Sequence, residues 1–157
     1  MQKSRKFAFS LLEVIVSIVI IAIITSIAVS KLPNTFDGAN LVKIKSDVVN
    51  IKTAIEVAKN NKTIENTSAS YPSILDNCGI DSQNCPLFVG SSDYQILKNP
   101  IFSSSSSNAK SNSWVKIATN KYRIFLNDTK YVNFIYTASS GTFLCDQNDA
   151  NCVELLK

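Results

Sequence analysis

The chain of 157 residues has no histidine. This single absence removes the usual general base, the commonest zinc ligand and the usual pH sensor. Glycine and proline are scarce, at four residues each, and neither a glycine-rich phosphate loop nor a G-x-S-x-G elbow occurs. Serines abound, but no histidine is present to activate them, so the chain reads as a non-enzyme with no catalytic residues. Charge is also thin, with 18% charged residues and a net +4. Three of the basic side chains, Lys3, Arg5 and Lys6, stand ahead of the first apolar run, and the remaining charges nearly balance. The basicity is therefore a targeting feature and poor evidence for a nucleic-acid surface.

The first strong positive signal is the run from Leu11 to Val29, LLEVIVSIVIIAIITSIAV. At 1.5 Å per residue it makes roughly 28 Å of helix, close to the hydrocarbon thickness of a bilayer. A cleaved secretory signal would have a shorter apolar stretch ending in an A-x-A site. The run is therefore expected to be an anchor, with the basic cluster keeping the N-terminus cytoplasmic and everything after Lys31 outside. Pro33 is expected to bend or interrupt this helix, and Gly38 to loosen it.

A second pattern follows. Leu41, Ile44, Val48, Ile51, Ile55 and Ala58 are spaced by threes and fours, with Lys43, Lys45, Asp47, Asn50, Lys52 and Glu56 off the stripe. Val42, Val49 and Val57 broaden its apolar edges. This is an amphipathic helix over 39–60 with one buried face. A coiled-coil seam is the rival reading, but the stripe is short and the chain has strand material able to cover it. From Lys59 the sequence turns polar and the helix is expected to end, with a variable loop over 61–113. Within that loop Tyr71 to Asp76 is expected to form a short helix, and the serine run Ser103 to Ser107 a mobile surface segment.

The last part, 114–157, is β-like. Trp114–Ala118, Lys121–Asn127, Lys130–Thr137 and Thr142–Cys145 are aromatic and β-branched, separated by short turn signals. Short links make sequential neighbours, hence an antiparallel meander. The fold class is α+β: a long N-terminal helix, membrane-spanning in its first half and amphipathic in its second, packed on a small antiparallel sheet.

Four cysteines fall in two pairs with the same step, Cys78 with Cys85 and Cys145 with Cys152. An even count in an exported chain suits two small disulfide loops. A four-cysteine metal site wants tighter hooks, and free thiols are the third alternative.

The junction Lys3-Ser-Arg-Lys-Phe-Ala8 followed by Phe9-Ser-Leu-Leu-Glu13-Val resembles the type IV pilin and pseudopilin family. Members carry a short basic leader, a small residue before the cut, an aromatic first mature residue and a glutamate fifth in the mature chain. The resemblance implies a leader over 1–8, cleavage between Ala8 and Phe9 by a prepilin peptidase, and N-methylation of Phe9. It implies a transmembrane helix over 9–30 and an extracytoplasmic domain over 31–157. It also matches the Cys145–Cys152 pair to the disulfide usual near the family's C-terminus; the Cys78 pair is extra, and glycine is usual where Ala8 stands. Glu13, about 6 Å along the axis from the amine of its own Phe9, then carries assembly by meeting the amine of a neighbouring subunit. A carboxylate inside an apolar helix costs ~2.5–3.5 kcal/mol at the bilayer centre, so such a residue needs a partner.

The implied function is that of a minor pseudopilin or minor pilin, a structural subunit of a pilus-like fibre in a type II secretion or DNA-uptake machine. Its partners would be other pilin subunits, the prepilin peptidase, an inner-membrane assembly platform and the lipid bilayer. A major subunit, or an anchored periplasmic binding or adhesion domain that never polymerises, are the alternatives. Weaker signals remain. Asp146, Asn148, Asp149 and Asn151 offer oxygen donors to calcium, although polar residues are ordinary in tight loops. Lys45, Lys52 and Lys59 form a basic ridge able to meet DNA phosphates or, more simply, solvent. Trp114, Tyr122, Phe125 and Tyr136 make either a carbohydrate platform or ordinary core.

Overall fold

A computed structural model of the chain describes residues 11–65 and 70–156, with side chains omitted at 27–37 and 154. Its contacts divide into two units, Met1–Gly38 and Ala39–Lys157. Helix α1 is assigned over Leu11–Ile64. The helix is continuous through Pro33 and Gly38, so of the two expectations for Pro33, a bend or an interruption, the interruption is not found. Nor does the helix stop near Lys59: Thr63 Oγ1 donates to the Lys59 carbonyl at 3.1 Å and Lys62 pairs with Glu65 at 2.9 Å. These local bonds, with a lysine at the C-terminal end of the dipole, carry it one polar turn further.

In the Ala39–Lys157 unit the stripe is buried as its spacing requires. Ile44, Val48, Ile51, Ile55 and Ala58 lie inside and Leu41 packs partly against them. Val42, Val49 and Val57, expected to widen the apolar edge, are exposed. The stripe shares one core with the inner face of a four-stranded sheet, to which Cys152 and Leu155 near the C-terminus also contribute.

That sheet is formed by β3 (Trp114–Ala118), β4 (Lys121–Phe125), β5 (Tyr131–Thr137) and β6 (Thr142–Cys145), in the order β3-β4-β5-β6, all antiparallel. Alternation sends Tyr122, Ile124, Val132, Phe134, Tyr136 and Phe143 inward. With Phe88 and Trp114 they build an aromatic core, Phe134 stacked on Phe143 at 5.0 Å and Phe88 edge-on to Trp114 at 5.4 Å. The architecture is α+β. The turn between β3 and β4 depends on Asn120, whose φ of 59° suits asparagine.

Four features depart from the expected layout. The 61–113 segment contains a small sheet, β1 (Pro86–Leu87) against β2 (Ile101–Phe102), and the last part ends in a helix, α2 (Ala150–Leu156). Tyr71 to Asp76 is not helical. Its carbonyls are taken by distant donors instead: Pro72 by the Tyr136 hydroxyl at 2.6 Å, Ser73 by Asn120 Nδ2 at 2.9 Å, Leu75 by the Gly90 N–H at 2.8 Å. A carbonyl so engaged is not free for a helical bond. The serine run is also fastened. Ser103 is buried and exchanges backbone bonds with Asn84 and Cys85, Ser104 bonds Trp114, and Ser106 gives both its N–H and hydroxyl to Asp81 at 2.6 Å.

Candidate functional site

Two places carry charge in unusual surroundings. The first is the start of α1. Glu13 lies in its first described turn, exposed, and its backbone carbonyl accepts from Ser17 Oγ at 2.7 Å. Around it Leu11, Leu12, Val14, Ile15 and Val16 are all exposed, and the exposure continues through Ile24. Apolar side chains on every face of a helix leave it no self-contained way to leave water; such a surface is completed by lipid or by other helices. Among the described residues no helix is long and apolar enough to cross a membrane. The described side chains of the run end at Ser26, and Ile27 to Val29 continue it in the sequence. Ala8 and Phe9 lie outside the described residues.

The second place was not anticipated. Asp76 and Lys116 form a buried ion pair, Nζ to Oδ1 2.8 Å, with their side chains 0% and 8% exposed. The other carboxylate oxygen accepts from the Tyr122 hydroxyl at 2.7 Å. Burial, reinforced by the Asp76 charge, raises the Tyr122 phenol well above its ordinary value. One signal was available in the sequence: Lys116 stands at alternate spacing from Trp114 in WVKIA, hence on the inward face. Nothing local pointed from there to Asp76.

Comparison with known proteins bears on the first place. Residues 3–29 match the prokaryotic N-terminal methylation motif. The chain carries the signature of type IV pilin-like prepilins. No curated protein and no solved structure matches it.

For a chain with a prepilin signature the other predicted residues sort as follows. Cys78 is bonded to Cys85 and Cys145 to Cys152, each pair with Cα atoms 5.9 Å apart. In the second loop the calcium candidates are occupied locally. Asp146 Oδ1 accepts from the Asn148 N–H at 2.9 Å, and Asp149 Oδ1 from the Asn151 N–H at 2.9 Å, just ahead of α2. These are turn and helix-capping bonds. Asn151 Nδ2 donates to the Tyr131 carbonyl at 3.3 Å. Among the described residues no group of three or more acidic, cysteine or histidine side chains gathers around a metal-sized space.

Along the lysine ridge, Lys59 lies over the Tyr71 ring at 4.3 Å, whereas Lys45 and Lys52 border an apolar groove with Val48, Val49, Leu155 and Leu156. Trp114, Tyr122 and Tyr136 are core residues, so the four aromatics form no surface platform. Phe125 instead packs on Tyr131 at 5.9 Å, with Arg123 over the same ring at 3.9 Å.

Proposed function

We propose that the chain is a minor pseudopilin or minor pilin: a structural subunit of a pilus-like fibre in a type II secretion or DNA-uptake machine. The observation that carries this reading is the prepilin signature over residues 3–29, set on a helix whose apolar side chains face outward on all sides. In this reading a prepilin peptidase cuts between Ala8 and Phe9 and the new N-terminus is methylated. The Leu11–Val29 run holds the subunit in the inner membrane with its C-terminal domain outside. Glu13 then pairs with the terminal amine of a neighbour during assembly. Two charges buried together in an apolar bundle penalise any register that separates them, which makes the pair a device for alignment. The Ala39–Lys157 unit sets which neighbours or cargo the fibre receives.

The test is the intact mass and N-terminal sequence of the protein purified from its own membranes. A chain beginning at N-methylated Phe9 supports the reading; one beginning at Met1 favours a static anchored domain. Glu13→Ala then separates processing from assembly. A fibre subunit so altered should be cut normally yet fail to enter sheared or sedimented fibres, whereas an anchored domain should be indifferent. Abundance decides between this and a major subunit, which needs the same motif.

A further inference from the structure

The loop closed by Cys78 and Cys85 bears on the buried charges at both its ends. Asp76, two residues ahead of Cys78, receives the Cys78 N–H on Oδ1 at 3.0 Å, beside Lys116 Nζ at 2.8 Å. Its Oδ2 receives the Tyr122 hydroxyl at 2.7 Å and the Phe88 N–H at 3.5 Å, so a donor from beyond the far cysteine closes the same site. The loop is also fastened to β3 directly, through the Asp81 N–H on the Lys116 carbonyl at 2.8 Å. At Cys85, the N–H donates to Ser103 Oγ at 3.1 Å and the carbonyl accepts the Ser103 N–H at 2.9 Å. A carboxylate and an ammonium stay buried together only while such donors remain in place, because either left alone in apolar surroundings is strongly disfavoured.

We propose that the Cys78–Cys85 disulfide is a redox-dependent lock on the buried Asp76–Lys116–Tyr122 network. Closed, it holds the carboxylate between the Cys78 and Phe88 amides and keeps the ion pair out of water. Opened, it releases segment 76–88 from β3 and admits water to the pair. Closing moves two electrons and two protons from the two thiols to an exchange partner that arrives with a disulfide and leaves as a dithiol; a dithiol reductant reverses the step. The second disulfide reaches elsewhere, joining the end of β6 to α2. The lock lies wholly in the Ala39–Lys157 unit, so it holds for an anchored domain as well as for a fibre subunit. Its consequence is that this corner stays open in a reducing compartment and closes in an oxidising one.

The test uses the full chain in detergent micelles, pulsed with acetic anhydride and read by peptide mass spectrometry. Exposed Lys121 on β4 is the internal reference. In the oxidised protein Lys116 should acetylate on the order of tenfold or more slower than Lys121, since it reacts only when the site opens. In the Cys78→Ser/Cys85→Ser variant Lys116 should approach the Lys121 rate while amide exchange across Tyr131–Thr137 stays slow. In the Cys145→Ser/Cys152→Ser variant Lys116 should remain protected. If the first variant fails to accumulate, dithiothreitol added to the second, whose one disulfide is Cys78–Cys85, makes the same measurement. Unchanged protection of Lys116 on opening the loop overturns the proposal. So does simultaneous loss of slow exchange across Tyr131–Thr137, which would make the disulfide a support of the whole sheet. Release of Lys116 in the second variant, before any reductant is added, overturns it too.

Discussion

Ile20 and Ile51 are the same residue on the same helix, yet Ile20 is 51% exposed and Ile51 is 0% exposed. The difference lies in what surrounds each in sequence. Around Ile20 nearly every position is apolar, so no face is left for water and no face can be singled out for a core. Around Ile51 the apolar residues recur every third or fourth position, and a sheet of matching aromatics covers that one face. The two carboxylates repeat the contrast. Glu13 stands among exposed apolar side chains, whereas Asp76 is enclosed with a lysine and a tyrosine. One region leaves its apolar side chains exposed, and the other encloses its own.

That contrast breaks most visibly at the carboxylates. Asp76→Ala leaves Lys116 buried without its partner and should cost about 3–5 kcal/mol of unfolding free energy. Glu13→Ala should change the same quantity by less than ~0.5 kcal/mol, since the role proposed for it lies in assembly. Denaturant titration followed by Trp114 fluorescence measures both, because that indole is fully buried in the core. Equal losses in the two variants would mean that the start of α1 contributes to folding of the domain, and the division drawn above would fail.

The paired isoleucines give the next largest effect. Ile51→Ala removes buried methyls from the middle of the stripe and should cost ~2–5 kcal/mol, depending on how far the core relaxes into the gap. Ile20→Ala should leave the domain's unfolding within ~0.5 kcal/mol of the parent. A measurable loss for Ile20→Ala in detergent would show that its surroundings already support the domain.

Legibility in the sequence followed the range of the interactions. The buried stripe and the meander are governed by spacing of two or of three to four residues, and both can be read from neighbours alone. The extended course of Tyr71 to Asp76 cannot be, since it depends on donors from Tyr136, Asn120 and Gly90 that only the folded chain brings to it. The same holds for the Asp76–Lys116 pair, forty residues apart. Lys116 announced itself by its inward register but not its partner. The serine run misled for a related reason: its composition is that of a loose loop, and Ser103 and Ser106 are nevertheless held by Cys85 and Asp81. At the N-terminus the matter is reversed. The methylation motif over residues 3–29 is carried by residue identity and order alone, so it is legible without the fold.

The smallest effect needs no substitution and appears only in alkali. Tyr136 is buried and its hydroxyl donates to the Pro72 carbonyl; burial, with a smaller push from Tyr71, Tyr94 and Glu56, raises its pKa from 10.0 to about 12. Tyr122 is raised further in the same direction, by burial and then by Asp76. A phenol with a raised folded pKa keeps its proton when the unfolded chain would release it. The stabilisation is therefore fully present below pH 10, where neither state has ionised, and is lost as pH climbs from 10 through about 12. Residues 11–38 contain no tyrosine, so the loss should be confined to the Ala39–Lys157 unit. Amide exchange at rising pH, corrected for the intrinsic base-catalysed rate, should show protection falling across β4 and β5 while that of Leu11–Ser26 in micelles holds. Tyr136→Phe should make the fall shallower without moving its onset, since one of the two raised phenols is gone and Tyr122 still titrates from the same unfolded value. An onset well below pH 10, or one shared equally by the first helical turns, would mean that another titration governs the alkaline transition and that the two regions do not unfold independently.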